Sequence, residues 1–399
     1  MEKINYDKRF KSSCVFNQSN KQFVSLEKKQ ARQYNKHLQK VLNAFIRKAM
    51  EIDPLFNACY RQTDYVGSYY QGLKVGVPDE YDLNIILKLP ISYEDLTILI
   101  ASEKPGYIKI GTKSDILPNL QKHDRWPEYK RMLKWLDESN MCLDQNKFRQ
   151  WFESLVVRTF QEFQPIDEDD YTSISVTKKY VLRHKKSGPA LTLKIDVSHQ
   201  YSIDVDLVPV LQFQTALPSP FRDHTYTKQR WLAIAKPLEC PNDNILWRPS
   251  YYERERKILK RNGQLKPIIR QMKKFRDTQE FKSIASYHIT TLFLWELEEQ
   301  SYNQQLQRLP PTFLFYHMLK RFQEACEKRE IRNFWYPKNN LLCNIAETKL
   351  SHINYKLIDI IKQIEEQIET NKYIIAEYVL NDDEVKRLKS LPSIGRVSR

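Results

Sequence analysis

No cysteine pairs, no long apolar run and no internal repeat organise this chain of 399 residues. Its six cysteines (Cys14, Cys59, Cys142, Cys240, Cys326 and Cys343) are scattered, with no C-x-x-C pair and no histidine at metal-ligand spacing from a cysteine. That pattern excludes a zinc finger or ribbon, and free thiols in a reducing compartment are the expectation. No apolar run approaches the ~20 residues needed to span a bilayer. The opening "MEKINYDKRFKSSC" lacks the apolar core of a leader, so neither a membrane span nor a secretory signal is expected. The expectation is a soluble cytoplasmic protein, with nuclear residence left open. Low-complexity blocks are missing as well, and the 41% hydrophobic fraction fits a globular chain long enough for two lobes and a large core.

What the chain has in excess is positive charge. Lysine and arginine number 64 against 49 acidic residues, a net charge of +15. Such an excess points to a polyanionic partner, such as nucleic acid or a membrane surface, to several bound phosphates, or to a basic but inert surface. Part of the charge is patterned. Between Ser25 and Met50 there is no Gly or Pro, and Leu38, Val41, Leu42, Phe45 and Ile46 recur at helical spacing. Lys28, Lys29, Arg32, Lys36 and Lys40 recur at the same spacing on other faces. The pattern predicts a long amphipathic helix over 25–50, whose basic side is either a solvated face or a nucleic-acid-binding one.

Beyond that helix the first half reads as mixed α/β. In "LTLKIDVSHQYSIDVDLVPVLQF", Leu191, Leu193, Ile195 and Val197 alternate with polar residues, and Tyr201, Ile203, Val205 and Leu207 repeat the alternation after Ser-His-Gln. That predicts a β-hairpin, with Asp204 and Asp206 on the face opposite Ile203 and Val205. Pro218, Pro220 and Pro237 punctuate the junction. From about Trp247 the apolar spacing turns helical, through to the stretch "KLIDIIKQIEEQIETNKYIIAEYVL". The predicted class is α+β and bilobal, with a mixed lobe over 1–215, a mainly helical lobe over 216–390 and a frayed tail over 391–399.

The chemistry concentrates in "VGSYYQGLKVGVPDEYDLNIILKL", Val66 to Leu89. Glu80 and Asp82 sit two apart at the start of an alternating strand, so both carboxylates share one face. Carboxylates that close repel unless a cation lies between them, and oxygen ligands of this kind suit magnesium or manganese. Asp206 from the hairpin could add a third ligand for a two-metal clamp. Gly67 allows close backbone approach to a phosphate, and Ser68 adds a hydroxyl donor. Taken singly, each feature is also what a solvated strand end offers. Their order is the signal for nucleotidyl transfer: helix, Gly-Ser, acid pair opening a strand, third acid on a later strand.

These segments resemble the insect cyclic GMP-AMP synthase-like receptors within the Mab-21-like nucleotidyltransferases. "VGSYYQGLKVGVPDEYDL", "SGPALTLKI…YSIDVDLVPVL", "LWRPSYYERERKIL" and "SIASYHITTLF" match the family's motifs in order, from about Ser25 to the final helices. The resemblance implies a bilobal nucleotidyltransferase fold in which Glu80, Asp82 and Asp206 hold two magnesium or manganese ions. It implies that Ser68, beside Gly67, touches the donor triphosphate. Arg248 would contact the acceptor base, with Ser250, Tyr252 and Glu255 lining the same region. Tyr287 would stack on a base, and Ser286 and Arg270 would reach the donor phosphates. ATP and GTP are the implied substrates and cyclic GMP-AMP the implied product. His288 reads as a packed helix histidine, and Asp204 as a solvent-facing group rather than a ligand.

Departures from the vertebrate enzyme bear on the partner. Its zinc-binding insertion, which helps grip duplex DNA, has no counterpart where "KRNGQLKPIIR" runs straight on, and Thr290 stands where that enzyme has a lysine. No zinc is expected. Insect relatives lacking the insertion include double-stranded RNA sensors, so duplex RNA is favoured over DNA, with a ligand-induced oligomer as a further implication. Two other readings use the same features: a template-independent nucleotidyltransferase acting on RNA, and a catalytically silent nucleic-acid-binding Mab-21-like protein.

Overall fold

The alternation that follows Glu80 forms a strand one in from the edge of a sheet in the computed structural model. The structure describes all residues except 1–4, 26–27, 76–79, 114–120, 123, 163–179, 188–189, 198–200, 220, 222–229, 237–242, 300–305, 307 and 393–399, and leaves out the side chains of 28–31, 180–187, 190, 201 and 299. Along the chain run α1 (Cys14–Ser19), α2 (Lys28–Ile52), α3 (Pro54–Cys59), β1 (Tyr60–Val66), α4 (Gly67–Gln71), β2 (Glu80–Leu87), β3 (Leu96–Ile100), β4 (Ile108–Thr112), α5 (Trp126–Leu133), α6 (Gln145–Glu162), β5 (Tyr180–Ser187), β6 (Ala190–Val197), β7 (Tyr201–Phe213), β8 (Trp231–Ile234), β9 (Leu246–Ser250), α7 (Tyr252–Arg261), α8 (Lys266–Thr278), α9 (Ser286–Glu299), α10 (Pro311–Glu327), α11 (Glu347–Gln367), α12 (Ile374–Val379) and α13 (Asp382–Ser390). They group into two compact units: residues 27–70 with 77–253, and residues 1–26 and 71–76 with 254–399.

The first unit is built on one sheet, ordered β1-β2-β7-β8-β9-β4-β3, with β6 also on β7 and β5 on β6. β2 and β7 run parallel, in register from Glu80 with Asp204 to Leu87 with Leu211. The predicted hairpin forms as β6 with β7, antiparallel from Val197–Tyr201 to Leu191–Leu207. Its Ser-His-Gln turn lies outside the described residues. Leu83, Ile85, Leu193, Ile203, Val205 and Leu207 are buried as the alternation requires. So is the predicted stripe of α2, where Leu38, Val41, Leu42, Phe45 and Ile46 face the core and Phe45 meets Phe160 of α6 edge-on at 5.8 Å. Asp53 closes this packing. Its carboxylate accepts from the Phe56 N–H at 3.0 Å and from Arg158 of α6 at 3.0 Å, so α3 starts with a capped N-terminus.

The second unit is helical. Its N-terminal residues are held by its later helices: Phe10 stacks on Tyr316 at 4.2 Å, Thr312 Oγ1 donates to the Ser12 carbonyl at 2.8 Å, and Gln271 Nε2 donates to Ser19 Oγ at 2.9 Å. Among the described residues, no helix is long and apolar enough to cross a membrane. Cys14, Cys59, Cys142, Cys326 and Cys343 are free thiols.

Several expectations need correction. The helical reading from Trp247 starts too early, because Leu246–Ser250 is β9, with Leu232, Ala233 and Ile234 of β8 paired to Ser250, Pro249 and Arg248. Aromatic and apolar residues in so short a run fit either element. The last helical stretch is also interrupted. α11 ends at Gln367 and α12 begins at Ile374, where Asn371 accepts from the Tyr373 N–H at 3.0 Å and donates to Glu377 at 3.0 Å. An asparagine side chain competing for backbone groups is a known helix breaker. Pro220, Pro237, Cys240 and the tail from Ser393 lie outside the described residues.

Candidate active site

In parallel strands, residues in register stand side by side on the same face, roughly 4.8 Å apart. Glu80 is beside Asp204, and Asp82 is beside Asp206. Four carboxylates therefore share one face of the sheet, opposite the buried Tyr81, Leu83, Val205 and Leu207. Glu80 and Asp204 are exposed, while Asp82 and Asp206 are half-buried. Asp206 Oδ1 accepts a 2.6 Å hydrogen bond from Thr192 Oγ1, its neighbour across the hairpin.

The Gly-Ser turn lies against this group. β1 is antiparallel to β2, with Val66 opposite Asp82, so the next residue, Gly67, passes over the Asp82 carboxylate. Gly67 has φ +71°, and a Cβ placed there would lie 1.8 Å from Asp82 Oδ2. Glycine is required twice, by the left-handed conformation and by the contact. Ser68 follows, half-buried in the first turn of α4. Gly76–Asp79, between this turn and Glu80, lie outside the described residues.

Burial raises the Asp206 carboxyl above its ordinary range. The Thr192 hydrogen bond opposes that shift, and the nearby Glu80 and Asp204 charges add to it. Among the described residues no three carboxylate, cysteine or histidine groups stand close enough to cage an ion. The donor set itself is all oxygen, and the mutual repulsion felt at Asp206 is what a hard divalent cation would relieve.

The remaining site candidates divide between the units. In the sheet unit, Arg248 is exposed on β9 and Ser250 half-buried. Tyr252 is buried, and its hydroxyl donates to the Tyr65 carbonyl at 3.1 Å, which ties it to β1. In the helical unit, Arg270 is half-buried. One of its terminal nitrogens donates to the Gly72 carbonyl at 2.7 Å, and its Nε is buried with no hydrogen-bond partner. A buried guanidinium nitrogen left unpaired is costly. Ser286 Oγ accepts from Arg276 at 2.8 Å. Tyr287 has an exposed ring, while Glu255 is buried. His288 Nδ1 accepts from the Ala285 N–H at 3.2 Å, and burial, with Arg276 nearby, lowers its basicity.

On α2, Arg32, Lys36 and Lys40 are exposed, and so is Arg47, which the spacing argument missed. At 100° per residue the four fall within an arc of about 80° and extend about 22 Å along the helix. Arg47 was legible as one further recurrence, seven residues after Lys40. The side chains of Lys28 and Lys29 lie outside the described residues. A second link went unseen. Asn35, at the border of the basic face, donates from Nδ2 to Tyr69 Oη at 2.7 Å and accepts from Tyr70 Oη at 3.0 Å. Tyr69 in turn meets Tyr81, the residue between Glu80 and Asp82, at 4.7 Å. Nothing local in the sequence pairs residue 35 with 69 and 70.

Residues 69–261 match the Mab-21 protein nucleotidyltransferase domain, and residues 264–373 match the Mab-21 protein HhH/H2TH-like domain. A cyclic GMP-AMP synthase-like receptor of Microplitis demolitor is 35% identical over 394 residues, covering 96% of this chain and 71% of the relative. One from Trichogramma pretiosum is 31% identical over 386 residues, covering 96% and 78%. One from Aethina tumida is 31% identical over 393 residues, covering 97% and 95%.

Proposed function

Because the chain belongs to the cyclic GMP-AMP synthase-like receptor family of Mab-21 nucleotidyltransferases, we propose that it joins ATP and GTP into cyclic GMP-AMP when double-stranded RNA binds it, as an antiviral alarm. The observation that carries the reading is the register of β2 with β7, which sets Asp82 beside Asp206 while Gly67 packs on Asp82.

Glu80, Asp82 and Asp206 would hold two magnesium or manganese ions. Bound there, such ions supply charge neutralisation for a triphosphate and acidify an attacking hydroxyl. The chain's own groups do the positioning. Gly67 leaves backbone N–H groups open to phosphate oxygens, and Ser68 adds a hydroxyl donor. Thr192 fixes the rotamer of Asp206. Arg248 and Ser250 are the candidates in the sheet unit for reading a base. Within the helical unit, taken by itself, Arg270 is the candidate phosphate donor and Tyr287 the candidate stacking face. The acceptor's ribose hydroxyl attacks the α-phosphorus in line, the bond to pyrophosphate breaks, and a second transfer closes the ring. Catalysis is then mostly alignment and charge neutralisation.

Duplex RNA is recognised through phosphates, shape and 2′-hydroxyls. The basic stripe of α2 supports that mode. The direct passage from α7 through Gly263–Leu265 into α8, with no inserted segment, supports RNA over DNA. Asn35 offers the route by which strain on α2 reaches the Ser68 turn and, through Tyr69 and Tyr81, the acid pair.

The test is incubation with radiolabelled ATP and GTP, divalent metal, and duplex RNA, duplex DNA or neither. A phosphatase-resistant dinucleotide with RNA alone is expected, and Glu80→Ala with Asp82→Ala abolishes it while sparing duplex binding. The same product with DNA alone overturns the ligand, and a lengthened RNA overturns the cyclase. No product with any duplex leaves a nucleic-acid-binding protein.

A further inference from the structure

We propose that Trp335 and Glu255 are positioning residues that lock Tyr287 as a stacking platform for a nucleobase, and that Glu255 does not itself read the nucleotide. The inference rests on the nucleotidyltransferase reading above and changes the part that Glu255 plays in it.

Tyr287 is the second residue of α9 and 36% exposed, in a unit whose large aromatic rings are otherwise mostly buried. An exposed tyrosine ring is ordinarily free to change rotamer. This one is tethered at its far end, because its hydroxyl donates to Glu255 Oε1 at 2.9 Å. The same oxygen accepts from the indole Nε1 of Trp335 at 2.8 Å. Glu255 is only 7% exposed and Trp335 8%. A carboxylate so buried stays charged only if donors reach it. Here two neutral donors share one oxygen.

Trp335 is itself fixed from two sides. The guanidinium of Arg254 lies over its ring at 5.0 Å, a cation–π contact that holds the indole plane. Asn333 Oδ1 accepts from the backbone N–H groups of Trp335 at 2.9 Å and Tyr336 at 3.0 Å, which fixes the turn carrying it. Constraint therefore passes from the Asn333 turn to Trp335, to Glu255 and to Tyr287. Its result is an aromatic face that is solvent-exposed and already ordered. Stacking onto a base then costs little side-chain entropy, and base–aromatic stacking needs only such a face. A Glu255 that read a base directly would need its carboxylate presented to solvent.

The experiment uses the full-length chain, duplex RNA, ATP and GTP, and follows KM and kcat for each nucleotide. Glu255→Gln keeps a carbonyl acceptor for both donors, so KM is expected to rise less than in the Phe variants below, with nucleotide preference as in wild type. Trp335→Phe keeps a ring for Arg254 but deletes the N–H. It should raise KM for one nucleotide about tenfold, with kcat within about twofold. Tyr287→Phe should do the same, and the double variant should be no worse than either single, since both break one chain of constraint. Should Trp335→Phe melt far below wild type, Tyr287→Phe, which removes only a hydroxyl, carries the prediction alone.

A Glu255→Gln variant that loses tenfold or more, or switches its preference between ATP and GTP, overturns the positioning role. So does an unmoved KM in both Phe variants while the wild type is active. A wild type that makes no product with any duplex overturns instead the parent reading.

Discussion

Replacing Gly67 with alanine asks the fold to solve two problems at once. The residue sits at φ +71°, where an L side chain costs on the order of 1–2 kcal/mol. The new methyl would also lie 1.8 Å from Asp82 Oδ2 and 2.6 Å from its Cγ, far inside any permitted contact. Either the turn lifts or the Asp82 carboxylate swings away, and each displaces a candidate metal ligand or phosphate donor by an ångström or more. Misplacement on that scale costs about 100-fold in rate, whereas the backbone strain lowers Tm by only a few degrees in a unit of this size. The assay is duplex-stimulated pyrophosphate release with thermal melts in parallel. Gly263→Ala is the control, because nothing lies within 4 Å of a Cβ there, and it should leave rate and Tm near wild type. A Gly67→Ala protein with wild-type turnover would refute the placement of the turn on Asp82, and with it the catalytic assignment.

Asn35→Leu removes both tyrosine hydroxyl contacts and should cut duplex-stimulated turnover about tenfold at unchanged duplex affinity; equal losses in both would make Asn35 merely structural. Asp206 has a raised folded pKa, so its ionisation weakens the folded state. Without metal, stability from this group is greatest at low pH and is lost as pH rises through its titration above the ordinary carboxylate range. Magnesium or manganese should then raise Tm at neutral pH and do so less as pH falls, and Asp206→Asn should abolish that increment without lowering the metal-free Tm. Adding Arg47→Ala to alanines at Arg32, Lys36 and Lys40 should weaken duplex binding further and lower the salt slope by about one more unit; an unchanged slope would remove Arg47 from the interface.

What the sequence determined by itself was everything local. The apolar stripe of α2, the two alternations of the hairpin and the shared face of Glu80 and Asp82 follow from periods of 3.6 and 2. Even Thr192 beside Asp206 could be counted back from the hairpin turn. The motif order carried the family. Only the tertiary structure decided the rest, because strand register between distant segments is set by burial over the whole sheet rather than by neighbours in the chain. It alone put Asp204 level with Glu80 and Asp206 level with Asp82, and brought Gly67 against Asp82. It showed β8 and β9 joining the sheet beyond Phe213, and the first 26 residues grouping with the C-terminal helices. It likewise gave Asn35 its tyrosines and Glu255 its tryptophan. Buried polar groups take whichever donors the fold delivers, and no spacing in the sequence announces them.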